Sequence, residues 1–146
     1  MTLISKSAIV PYTAENMFNL VNDIESYSKF LPWCQETSIQ LRTESEVKAT
    51  LVLSYAGMHK AFSTHNRMQA PKMIEVRLIE GPFSHLEGFW RFENLDDKAS
   101  KVLLDLEFEF SNKLVALAFG HVFNQVANNM VDAFCKRAHE IYVQPN

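Results

Sequence analysis

Val115, Phe119, Val122, Val126, Met130, Phe134, Ala138 and Ile141 follow one another at intervals of three or four residues, the spacing that keeps side chains on one face of an α-helix. The pattern predicts a single helix from about Leu114 to Val143. At ~1.5 Å per residue such a helix measures roughly 40 Å, long for a globular chain. A strongly curved sheet is the surface that can wrap it. The first half is apolar on more than one side, through Leu114, Leu117, Ala118 and Phe123 as well. Gly120 interrupts it at about 1 kcal/mol relative to alanine, marking a bend or a close backbone contact.

The segments before that helix supply the sheet. Thr2 to Val10 mixes β-branched and small residues and stops at Pro11, which reads as a first strand. Thr13 can cap a following helix, with Asn16 where a capping-box glutamate would stand. Phe18, Val21 and Ile24, then Tyr27, Phe30 and Leu31, predict two short helices that break near Asn22-Asp23 and end at Pro32. From Trp33 to Ser111 the pattern is all strand. Val47, Ala49, Leu51, Leu53 and Tyr55 alternate up to a turn at Ala56-Gly57, and Met58 to Met68 continues as a mostly polar strand. Met73 to Glu80 follows Pro71-Lys72, and a polar loop from Asn94 to Ser100 leads into Val102, Leu104, Leu106, Phe108 and Phe110, which alternate with Leu103, Asp105, Glu107 and Glu109. Alternation of this kind is half-buried antiparallel sheet. The expected class is α+β: about seven strands around a long C-terminal helix, with two short helices after the first strand.

Gly81 to Phe92 (Gly-Pro-Phe-Ser-His-Leu-Glu-Gly-Phe-Trp-Arg-Phe) packs a turn, two glycines and four large aromatics into one segment. Leu86, Gly88, Trp90 and Phe92 fall on one strand face, so a missing side chain sits among flat walls. If the helix lies across the sheet, Leu51, Leu53, Tyr55, Leu86, Trp90, Phe92, Leu104, Leu106 and Phe108 point toward it, and Phe119, Val122, Phe123 and Val126 point back. Most of these would simply fill a core. The region near Gly88 and Gly120 is where space would stay open. With Trp33 and Phe83 added, these are the candidate ligand-binding residues. Trp33, Tyr55 and Trp90 would supply hydrogen-bond donors from otherwise apolar side chains.

Composition excludes several classes. A chain of 146 residues with 47% hydrophobic content is one domain, residues 1–146, with a proper core. No run approaches the ~18 apolar residues of a membrane span, and Met1 to Lys6 lacks the pattern of a signal peptide, so a cytoplasmic protein is expected. Cys34 and Cys135 form no CxxC and read as reduced thiols. The net charge of −3, with Lys136-Arg137 the only adjacent basic pair, gives no push toward DNA. The five histidines are dispersed, and no zinc, nucleophile-elbow, Walker or dinucleotide fingerprint is present. Glu87, Glu93, Asp105, Glu107 and Glu109 fall largely on the polar face. The reading is no catalytic residue, no metal site, no enzyme.

Tyr27-Ser28-Lys29-Phe30-Leu31-Pro32-Trp33-Cys34, the Gly81–Phe92 segment and Met130-Val131-Asp132-Ala133-Phe134-Cys135-Lys136-Arg137-Ala138 occur in that order. Together they resemble the coenzyme Q-binding, START-like proteins of the polyketide cyclase-like superfamily, which include the RatA-type ribosome association toxins. The resemblance implies a helix-grip fold, a single START-like ligand-binding domain with an apolar cavity. It implies no cofactor other than a bound ubiquinone or other prenyl lipid. Two roles follow from it and stay open. One is sheltering ubiquinone for respiration, with transient contact at the inner membrane surface. The other is binding the large ribosomal subunit to inhibit translation initiation.

Overall fold

The computed structural model describes residues 1–55 and 57–142, without the Tyr55 side chain. Ala56 of the expected turn and Val143 at the expected helix end lie outside the described residues. Strand β1 (Thr2–Val10) leads into helix α1 (Ala14–Asn22) and a 3-10 helix (Ile24–Lys29). Strands β2 (Cys34–Arg42), β3 (Glu46–Tyr55), β4 (Met58–Gln69), β5 (Met73–Glu80), β6 (Phe83–Asn94) and β7 (Ser100–Phe110) follow, and helix α2 (Lys113–Tyr142) closes the chain.

The strands form one sheet in the order β1-β7-β6-β5-β4-β3-β2, antiparallel in every pairing. After β1 the chain crosses through the two short helices to the far edge. It then walks back by hairpins until β7 lies beside β1. The sheet curves around α2, and the expected helix-grip architecture is what the chain adopts.

Local chemistry sets the boundaries. Thr13 caps α1, its Oγ1 accepting from the Asn16 amide at 3.1 Å, and α1 buries Met17, Phe18, Leu20 and Val21. In β6 the buried residues are Phe83, Leu86, Gly88, Trp90 and Phe92, so the period-two reading of that strand holds. On α2 the buried face differs from the expected one at its end. Ile141 is 44% exposed. The face instead continues by fours from Phe134 and Ala138 to Tyr142, which packs on Tyr12 at 5.8 Å and donates to the Asn16 carbonyl at 3.0 Å. Ala127 and Val131 join the core, while Leu114 and Leu117 stand exposed at the start of the helix.

Candidate functional site

Two aromatic clusters grip α2, and a gap lies between them. Toward the start of α2, Phe123 meets Phe108 at 4.7 Å, Phe83 at 4.8 Å, Phe110 at 6.0 Å and Phe62 at 6.4 Å between ring centroids. Toward its end, Phe134 meets Tyr27 at 5.3 Å and Trp90 and Phe30 at 5.4 Å each. Large rings resist collapse into the space between them, because each is held edge-on by others. What remains is a cavity of about 100 Å³.

Its wall is built from several elements. Leu51 of β3, Phe62, Thr64 and Asn66 of β4, and Ile74 and Val76 of β5 form one side. Leu86, Gly88 and Trp90 of β6 continue it with Leu104 and Leu106 of β7. Phe123, Val126, Met130 and Phe134 of α2 cover it, and Val21, Ile24, Tyr27 and Trp33 close the flank. Among these lining residues there is no carboxylate, histidine or cysteine.

A groove of about 330 Å³ lies outside, lined by Leu31, Pro32, Trp33, Ser54, Val122, Gln125, Val126, Asn129 and Ala133. Trp33 and Val126 border both spaces. Trp33 is half-buried, and its carbonyl accepts from the Ser54 amide at 2.8 Å, which ties this wall to β3.

The structure brings Trp33, Leu51, Leu86, Gly88, Trp90, Leu104, Leu106, Phe123 and Val126 of the expected set to the cavity. The other expected residues sit elsewhere. Leu53 is buried in the core away from the wall. Phe83 and Phe108 belong to the aromatic plug that ends the cavity. Phe92 stacks on Trp90 and meets Phe18 edge-on. Phe119 lies beneath the Lys60 ammonium at 5.9 Å, and Val122 faces the outer groove. Tyr55 ends β3, with its side chain outside the described part. Gly120 opens no space in the cavity: a Cβ there would make ordinary contact with Phe110 at 3.7 Å.

Sequence reasoning missed the β4 and β5 side of the wall. Phe62, Thr64, Asn66 and Met68 are all buried, at alternate positions of one strand. Reading outward from Phe62 and Met68 at period two would have found them. The polar pair between those two hid the pattern. Asn66 is 8% exposed, and its Oδ1 is buried with no hydrogen-bond partner among the described residues. Leaving such a group unpaired costs about 1–3 kcal/mol.

The Tyr27 hydroxyl donates to the Val21 carbonyl, and burial, reinforced by Cys34 and Asp23, raises its pKa. Burial pushes the Cys34 thiol up to about 11. Burial first, and Asp132 second, also raises Cys135. Neither cysteine has the electropositive surroundings that make a thiolate nucleophile. On the outer face of the sheet, His85, Glu87 and Glu107 place ligand atoms within 4.8 Å of one another, the one place among the described residues where three metal donors converge. Glu87 lies opposite Glu107 across the strands. His85 meets Glu107 at 2.9 Å, and Arg77 meets Glu75 at 2.7 Å and Glu87 at 3.3 Å, so these side chains already partner one another.

Known proteins resemble this chain in sequence and in fold. The chain is 45% identical to the Ribosome association toxin RatA of Escherichia coli (strain K12) over 97% of its own length and 90% of that protein's. It is 23% identical to the mitochondrial Coenzyme Q-binding protein COQ10 of Drosophila melanogaster, covering 96% of this chain and 56% of that one. The crystal structure of the ZhuI aromatase/cyclase from Streptomyces sp. R1128 superposes with a TM-score of 0.85 at 15% identity, over 97% of this chain and 96% of that one; this likeness is one of fold. The sequence pattern described as polyketide cyclase / dehydrase and lipid transport matches residues 10–135, and the chain belongs to that family.

Proposed function

We propose that this chain is a non-enzymatic binding protein that shelters a prenylated ring lipid of the ubiquinone type. The observation that carries this reading is the apolar cavity between the two aromatic clusters, with no acid–base pair on its wall. At about 100 Å³ it is too small to enclose a whole polyprenyl lipid, since sites that enclose drug-sized ligands run to roughly 300–1,000 Å³. The tail would leave past Trp33 and Val126 into the outer groove. Each CH₂ buried there contributes about 0.8 kcal/mol, so a few isoprene units hold the ligand without specific contacts. Loading such a lipid would bring a cytoplasmic protein into transient contact with the inner membrane surface. Among the described residues no helix is long and apolar enough to cross a membrane.

Organic extraction of protein purified from cells, followed by mass spectrometry, is expected to release a prenylated quinone or another long apolar lipid. Recovery of empty protein alone, with no change in tryptophan fluorescence on adding quinone, would sink the reading.

A second reading is favoured by the 45% identity to a ribosome association toxin over 97% of the chain. In it the outer surface binds the large ribosomal subunit and blocks subunit joining, and so translation initiation, while a lipid occupies the interior. Of the adjacent Lys136-Arg137 pair, only Lys136 stands fully outward. Arg137 lies over the Phe30 ring at 5.1 Å and meets Glu140 at 3.3 Å, which leaves Lys136 exposed. Co-sedimentation with large subunits is expected at low salt and should fall as salt rises, because bound counterions are released on association. Lys136→Glu should weaken it and leave lipid binding unchanged. If wild-type protein fails to co-sediment even at low salt, the translation reading is dropped.

A further inference from the structure

We infer that Asn66 selects the ligand's head group, and that the preferred class is a ring bearing a free hydroxyl, the hydroquinone rather than the quinone. The inference rests on the reading that the cavity takes an apolar ring lipid. Asn66 lies on the inner face of β4 and lines the cavity. It is 8% exposed, and its Oδ1 is buried with no hydrogen-bond partner among the described residues. Its neighbours across the sheet are Val47 on β3 and Val76 on β5, which have no side-chain donor to offer. The donor we assign to it is a ring hydroxyl of a ligand seated against Asn66 in the cavity. Thr64, two positions along the same strand and 4% exposed, also lines the cavity and sets a second polar group beside the first.

The chemistry of the amide narrows what fits. A carbonyl oxygen accepts and an NH₂ group donates. A ring hydroxyl does both, so it meets the amide in either orientation. Quinone carbonyls and aryl ethers only accept, so they can meet the amide NH₂ but leave the buried oxygen unpaired. A site with a buried polar group discriminates against ligands that lack its partner more sharply than an apolar wall discriminates by shape. The rest of the wall near Asn66, from Leu51 to Ile74, would hold either ring equally well.

The test titrates lipid-stripped full-length protein with three probes of equal tail: farnesyl hydroquinone under reducing conditions, its di-O-methyl ether, and farnesylbenzene. Quenching of tryptophan fluorescence reports binding, since Trp90 lines the cavity. Wild-type protein is expected to bind the hydroquinone about tenfold or more tightly than the ether, the size of one hydrogen bond to a buried group. Asn66→Leu, close in shape but without polar atoms, should bring that ratio to about one and keep affinity for farnesylbenzene. Asn66→Val, which matches the flanking valines, serves if the leucine variant does not fold. A wild-type ratio near one, or a ratio unchanged in the folded variant, overturns the assignment of Asn66 while the lipid reading stands. Failure of all three probes to bind wild-type protein overturns the lipid reading, and this inference falls with it.

Discussion

Phe134→Ala is expected to destabilise the protein by about 3–5 kcal/mol, the range for removing a fully enclosed aromatic ring. Phe134 has no solvent exposure and touches the rings of Tyr27, Phe30 and Trp90. It therefore joins α2 to the 3-10 helix, to the turn after it and to β6 at once. Tyr27 and Trp90 are themselves fixed by other partners, so the surroundings cannot collapse into the void. The melting temperature should fall by on the order of 10 °C. Phe134→Leu should lose less, because a branched aliphatic side chain restores part of the packing. A loss below about 1 kcal/mol for the alanine variant would mean that this end of α2 is not packed against the sheet as described.

Much of the fold was legible because its signals are periodic. Val102, Leu104, Leu106 and Phe108 alternate with polar residues except at Leu103, and the helical spacing from Val115 to Ala138 is unbroken; each pattern favours one kind of element. The cavity was legible on the β6 side for the same reason, through Leu86, Gly88 and Trp90. It was not legible on β4. There the inner face carries Thr64 and Asn66, and a polar residue at an inward position looks the same as a solvated one until the sheet closes around it. The tips of the helix pattern failed for a different reason. Ile141 continues the apolar spacing by three, but the face that meets α1 continues by four to Tyr142, and tertiary contact with Tyr12 decides between them. Arg137 shows the same limit. In sequence it is one half of a basic pair, yet its guanidinium lies over the Phe30 ring, as long cationic side chains do beside apolar surface.

Gly88→Leu is expected to lower affinity for a prenylated ring by about hundredfold while the protein stays folded. A Cβ at this position would stand 3.1 Å from Leu106 Cδ1, 3.6 Å from the Asp105 carbonyl oxygen and 3.8 Å from Val76 Cβ. The tightest of these neighbours is the free end of a flexible side chain, so it can give way by a few tenths of an ångström. Gly88→Ala should accordingly fold and bind nearly as wild type. Leucine adds three more carbons and sends them into a space of about 100 Å³. The ring then loses burial equivalent to a few CH₂ groups at about 0.8 kcal/mol each, which sets the hundredfold figure. Stability should change by no more than about 1–3 kcal/mol, the usual range when a packed region is overfilled. Calorimetry of empty protein measures that term separately from a fluorescence titration with farnesyl hydroquinone. If the leucine variant is destabilised within this range and still binds the probe as wild type does, the ring is not held beside Gly88. The outer groove past Trp33 would then be the whole of the site.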